Sequence, residues 1–138
     1  MRTDGVQLSS QAIEELREEI INRHGKDYIP QIPRVYKSKA ANAQEAHEAI
    51  RPTSISRDPE DMSQYLDTEQ LKLYELIWKR TISSQMQSAE LDETSADISN
   101  KDMSIVFRAN GSQVSFPGFF IYRDRAVSYT HLTLPTKA

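Results

Sequence analysis

The spacing of apolar residues changes once along this chain, near Met86. Upstream, apolar side chains recur three or four residues apart, the repeat of a helix with one buried face. Ala12, Ile13, Leu16, Ile20 and Ile21 form one such stripe. Leu71, Tyr74, Ile77, Trp78, Thr81 and Ile82 form a second, which runs on to Met86. Downstream, Ile105, Phe107 and Ala109, then Val114 and Phe116, alternate with more polar positions, the repeat of a half-buried strand. Helices followed by strands, without interleaving, imply a mixed α and β fold in two units joined near Gln87. The strand part is too short to bury both faces of a sheet, so neither unit reads as complete.

Local punctuation places the elements. Ser9 caps the first helix and Gly25 stops it, with His24 beside the negative end of its dipole. Residues 28–33 carry two prolines and form a connector. Residues 42–51 read as a short central helix, with Asn42 as cap, Glu45 completing a capping box and Pro52 as stop. Residues 53–65, with Pro59, read as a polar loop. Asp67 with Gln70 opens the third helix, in which Trp78 is a core anchor and Lys79 and Arg80 lie off the buried stripe. Residues 95–98 form a strand. Asn110-Gly111 predicts a type I′ hairpin turn, with Val114 and Phe116 on the returning strand. Pro117-Gly118 turns the chain again, and residues 119–122 form a further strand.

The central stretch carries the chemistry. On a helix, His47 and Arg51 share a face, and Glu45 and Glu48 can orient or neutralise them. Just upstream runs the basic segment Arg34-Val35-Tyr36-Lys37-Ser38-Lys39. Arg matches a phosphate bidentately and Lys adds a point charge, so this convergence describes a phosphate site. A solvated helix face is the plainer reading of the same residues. The net charge is −3, from 17 basic and 20 acidic residues, which argues against a generally cationic nucleic-acid binder. Any nucleic-acid contact must use a local basic patch. Cysteine is absent, which removes disulfides and thiolate metal sites. No apolar run approaches a membrane span, and the first residues lack the apolar core of a signal peptide. A cytosolic protein is expected.

Residues 127–138 do not extend the preceding pattern. Residues 127–136 match the translation of a common transposase sequencing adapter, so residues 126–138 are expected to be non-native.

Several stretches together resemble the bacterial type IA DNA topoisomerases. Met1-Arg2-Thr3-Asp4 resembles that family's Tyr-Met-Arg-Thr-Asp motif. Lys37-Ser38-Lys39, with Gln44-Glu45-Ala46-His47-Glu48-Ala49-Ile50-Arg51-Pro52-Thr53, resembles its basic segment and His-Glu-Ala-Ile-Arg-Pro run. Leu73-Tyr74-Glu75-Leu76-Ile77-Trp78-Lys79-Arg80, with Ser84-Gln85-Met86, resembles its following helix. Phe107-Arg108-Ala109-Asn110-Gly111-Ser112 and Phe116-Pro117-Gly118-Phe119 resemble its gate strands. The likeness spans nearly all of residues 1–125. Gly5 departs from it, standing where many members carry serine.

The resemblance implies that residues 1–87 are part of a tyrosine-bearing domain with a winged-helix, catabolite-activator-like fold. It implies that residues 88–125 begin an antiparallel β arch, the gate for DNA. The parent enzyme would cut one DNA strand through a 5′-phosphotyrosine link, pass the other strand and reseal, relaxing negative supercoils without ATP. The nucleophilic tyrosine would directly precede Met1, so the chain is expected to be an internal fragment, inactive alone. Arg2 would contact the scissile phosphate, and Lys37, Lys39, His47 and Arg51 would grip the DNA backbone. The parent would use Mg²⁺ whose ligands lie outside this stretch, with no metal ligand expected here. Its partner would be DNA, chiefly single-stranded segments of negatively supercoiled duplex. The parent would be monomeric, away from membranes, in a bacterial cytoplasm and associated with the nucleoid. The alternative is a stand-alone, non-enzymatic, winged-helix-like nucleic-acid-binding module.

Overall fold

The computed structural model describes residues 3–37, 47–123 and 130–132, the last three by backbone alone. The chain is mixed α and β. It divides into two compact units, Met1–Gln87 and Ser88–Ala138.

In the first unit, α1 spans Ser10–His24 and buries Ala12, Leu16 and Ile20. The Ser9 hydroxyl accepts from the Ala12 N–H at 3.2 Å, and Gly25 ends the helix at φ 98°. That left-handed geometry suits glycine, whose N–H returns to the Ile21 carbonyl at 2.9 Å. Helix α3 spans Thr68–Ser84 and opens on a complete capping box between Asp67 and Gln70. Its buried residues are Trp78, Thr81 and Ile82. These meet Leu16, Ile20, Ile55 and Met86 in one small core. Each large apolar side chain there contributes roughly 1.5–3 kcal/mol relative to exposure. The indole N–H of Trp78 donates to the Ile55 carbonyl at 2.8 Å, which ties the segment after Pro52 to α3. Trp78 is thus the core anchor its spacing implied.

Two expectations for this unit are corrected. Residues 53–65 are not all loop: α2 spans Pro59–Met62, with Asp58 as its cap. Proline is preorganised for the first helical position, so Pro59 starts a helix here rather than breaking one. The central helix is the second correction. Residues 42–46 lie outside the described residues, and residues 47–51 are not helical. Glu48 instead forms a parallel bridge with Gln7, and the Ala49 N–H donates to the Gln7 carbonyl at 2.7 Å. Pro52 biases the residue before it toward extended backbone, and the partner segment satisfies the backbone groups a helix would have paired. At residues 47–51 a pairing across the fold stands where helical geometry was expected.

In the second unit, β1 (Glu90–Ser99) pairs antiparallel with β2 (Val106–Phe116). The sheet order is β1-β2-β3, with β3 at Thr130–Leu132 beside residues 109–111 of β2. Those three residues belong to the tail set aside above, so part of that tail joins the sheet. Every residue of β1 is exposed, as are Phe107 and Val114, so neither sheet face forms a core among the described residues.

Here too the turns moved. Asn110-Gly111 is not a hairpin turn but lies inside β2, opposite Ser95 and Thr94. The reversal occurs at residues 100–105. There the Asn100 N–H donates to the Ile105 carbonyl at 3.3 Å, and the Ile105 N–H donates to Asn100 Oδ1 at 3.1 Å. Met103 takes the left-handed conformation at φ 59°. A turn at 110–111 would leave β1 without a partner, whereas the observed register pairs it along its whole length. Cross-strand contacts support that register: Arg108 holds Asp97 through two bonds of 2.7 and 2.9 Å, and Ser95 donates to Asn110 Oδ1 at 2.8 Å. Val114 and Phe116 therefore share one strand with Phe107. Residues 119–122 are not a strand. They belong to a 3-10 helix, Gly118–Tyr122, entered from Pro117 in helical geometry. Phe119 and Phe120 meet edge to face at 5.0 Å within it.

Candidate nucleic-acid interface

The parallel bridge between residues 7 and 48 builds the first of two stretches that carry expected site residues. It carries Gly5 against the backbone of His47 and Glu48, so closely that a Cβ on Gly5 would collide with the His47 carbonyl oxygen. The added atom would also lie 2.9 Å from the Glu48 carbonyl oxygen. Only glycine permits this approach without displacing one segment. Two motifs far apart in sequence, Thr3-Asp4 and the run beginning at His47, are thereby neighbours.

Glu48 is the hub of this stretch. Its Oε1 accepts from the Ser9 N–H at 3.1 Å and from Arg51 Nε at 2.7 Å. These bonds, the Arg51 bond first, hold the Glu48 carboxyl below the usual carboxylate range. Ser9 is the cap of α1, so the carboxylate also sits at the positive end of that helix. Arg51 is oriented by the pair, and its Nη1 reaches the Pro52 carbonyl at 3.5 Å. Pro52 is buried, which anchors the chain just beyond the guanidinium. His47 is exposed. His47 and Arg51 thus belong to one extended segment rather than to one helix face.

A second, separate stretch is the approach to Lys37. The C-terminal end of α3 has no basic residue in its last turn. Its carbonyls are met by the connector instead. The Tyr36 hydroxyl donates to the Ser84 carbonyl at 2.7 Å, and Arg34 Nε donates to the Met86 carbonyl at 3.0 Å. A cation and a hydroxyl thus complement the negative end of the helix. Lys37 follows at once and is exposed. Arg2, Lys39 and Glu45 lie outside the described residues. Lys79 pairs with Glu75 at 2.7 Å, one turn away on α3, and Arg80 is exposed.

Sequence reasoning missed Gly5 as a packing requirement and passed over Gln85. Gln85 is only 1% exposed, and its spacing from Trp78 and Ile82 puts it on the apolar stripe of α3. A polar residue on such a stripe was the available signal. Among the described residues, no group of three or more His, Cys, Asp or Glu side chains could hold a metal ion. Among them, too, no helix is long and apolar enough to cross a membrane.

Known proteins resemble this chain in sequence and in fold. The sequence profile of the family described as DNA topoisomerase matches residues 1–136. DNA topoisomerase 1 of Rickettsia bellii is 50% identical over 125 residues, which is 90% of this chain and 16% of that protein. DNA topoisomerase 1 of Xylella fastidiosa is 49% identical over 125 residues, 90% of this chain and 15% of that protein. The solved structure of full-length topoisomerase I from Thermotoga maritima superposes with a TM-score of 0.77 at 32% identity. That match covers 100% of this chain and 21% of the other. The chain therefore spans about one sixth of the length of the curated relatives it matches. On sequence and fold together, the chain belongs to the bacterial DNA topoisomerase I family.

Proposed function

We propose that this chain is a DNA-gripping part of a type IA DNA topoisomerase, an isomerase that relaxes negative supercoils. The observation that carries this reading is the contact of Gly5 with His47 and Glu48, which joins two motifs of the family. In the proposed reaction, the family tyrosine that precedes the Met1-Arg2-Thr3-Asp4 motif attacks a DNA phosphorus. The bond from phosphorus to the 3′ oxygen breaks, and the tyrosine proton ends on that oxygen. A 5′-phosphotyrosine ester replaces the DNA phosphoester, so resealing is the reverse step and needs no ATP. The transition state spreads negative charge over the phosphoryl oxygens, and positioned cations stabilise it. Arg2 would contact that phosphate. Lys37, Lys39, His47 and Arg51 would hold the flanking single strand through its backbone.

In this reading, residues 1–87 are part of the tyrosine-bearing, winged-helix-like domain. Residues 88–125 begin the β gate, and residues 126–138 are adapter translation. The parent acts as a monomer on single-stranded segments of negatively supercoiled DNA in the bacterial cytoplasm, at the nucleoid. The resemblance implies Mg²⁺ for the parent. The described residues do not offer a donor set for it, so no step here runs through the metal.

The test is relaxation of negatively supercoiled plasmid by the longer protein that carries this chain, with and without Arg2→Ala. Relaxation by the parent, with loss of activity and of the covalent 5′ adduct in the variant, is expected. Failure of the parent to relax DNA would overturn the reading. The 138-residue chain alone is expected to bind DNA without cleaving it.

A further inference from the structure

We propose that Gln85 is a positioning residue, fixing the course of the connector so that Lys37 is presented to the DNA backbone. This rests on the proposed function, which gives Lys37 its partner. Gln85 Oε1 accepts from the Arg34 N–H at 3.2 Å, and Gln85 Nε2 donates to the Arg34 carbonyl at 3.0 Å. The side-chain amide thus pairs with both backbone groups of one residue, as a neighbouring strand would. A buried amide matched at both ends fixes the register: shifting the connector by one residue would turn the next residue's N–H and C=O to the other side of the strand and leave the amide without either bond.

The rest of the connector is built around this bracket. Arg34 and Tyr36 point side chains at the end of α3, and Val35 between them is 75% exposed, a period of two. The Tyr36 hydroxyl reaches Ser84, and Arg34 Nε reaches Met86, on either side of Gln85. Farther back, the Gln87 N–H donates to the Tyr28 carbonyl at 2.7 Å, and Arg17 Nη2 donates to the Pro30 carbonyl at 2.8 Å. The backbone is therefore tied at residues 28, 30 and 34, and Tyr36 is tied by its side chain. Lys37 follows these ties directly. A lysine on a free tether pays ordering entropy on each phosphate contact, and one on a fixed tether pays less.

Binding of labelled oligothymidylate to the 138-residue chain, across a salt series, tests this through a double-mutant cycle on Gln85→Leu and Lys37→Ala. Each single variant is expected to weaken binding about fivefold and lower the salt slope by about one phosphate contact. The double variant should be no weaker than the stronger single one. Trp78, the single tryptophan, lies in the core of the first unit, so unchanged emission checks that the fold persists. If Lys37→Ala weakens binding but Gln85→Leu does not, or the two effects simply multiply, the positioning role is refuted and the DNA-binding reading stands. If alanine at Lys37, Lys39, His47 and Arg51 together changes nothing, the DNA face itself is wrong and the positioning role falls with it. If Gln85→Leu unfolds the chain, the same cycle is run with Gln85→Met, which keeps the length of the side chain and removes both bonds to Arg34. The same two patterns then decide the outcome.

Discussion

Replacing Gly5 with alanine should destabilise the first unit through one contact. The new methyl would collide with the His47 carbonyl oxygen and sit 2.9 Å from the Glu48 carbonyl oxygen and 3.1 Å from its carbon. All three are backbone atoms, so no side chain can rotate away. Either residues 3–7 or residues 47–49 must move, and the bond from Ala49 N–H to the Gln7 carbonyl lies between them. Overpacking of this kind costs roughly 1–3 kcal/mol. The strained or lost hydrogen bond adds about 1 kcal/mol. Because movement relieves some overlap as it breaks the bond, the two do not add fully, and about 2 kcal/mol is expected. For a unit of this size, that lowers the melting temperature by about 8–16 °C. Trp78 emission reports the transition. Hydrogen exchange localises it: the Ala49 amide should lose protection in Gly5→Ala while amides in the middle of α3 keep theirs. Gly25→Ala is the contrast, since its cost comes from φ 98° with nothing within 4 Å of the added atom. A Gly5→Ala protein within about 0.5 kcal/mol of the parent chain, with Ala49 still protected, would refute the close approach.

Two further outcomes follow from the structure. Gly111→Thr should stabilise the second unit by about 0.5–1 kcal/mol in thermal unfolding followed by circular dichroism, because Gly111 is mid-strand with nothing within 4 Å of an added Cβ; a loss of stability would place it in a turn after all. Acid should weaken the first unit in two windows. Burial, and then Arg23, lower the His24 pKa below its ordinary 6.5, so the folded state resists protonation and stability falls as pH drops below that value. Glu48 is held below 4.5, so its contribution is complete above that value and is lost as pH falls through the lowered pKa. His24→Asn should remove the upper window and Glu48→Gln the lower one in pH-dependent melts. An unchanged profile in either variant would contradict that assignment.

The elements that were legible beforehand are those specified by neighbours in sequence. Ser9, Gly25 and the Asp67–Gln70 box each satisfy backbone groups within one turn, so residues close together determined where α1 and α3 begin and where α1 ends. The stripe through Trp78 and Ile82 needed only helical periodicity. The likeness to topoisomerases also lay in contiguous motifs, which is why the family could be named from them. The misplaced elements share the opposite property. Asn110-Gly111 is a strong turn pair, but a turn there competes with ten residues of pairing to β1, and summed cross-strand contacts outweigh one local preference. The helix expected over residues 47–51 met a similar rival in the Gln7–Glu48 bridge. Gly5 and Gln85 gain their roles from backbone 42 and 51 residues away, at His47 and Arg34 respectively. By itself the sequence determined the two long helices, α1 and α3, and the family. Tertiary structure alone decided which segments pair, because hydrogen bonds between distant residues form only once a shared core has brought them together.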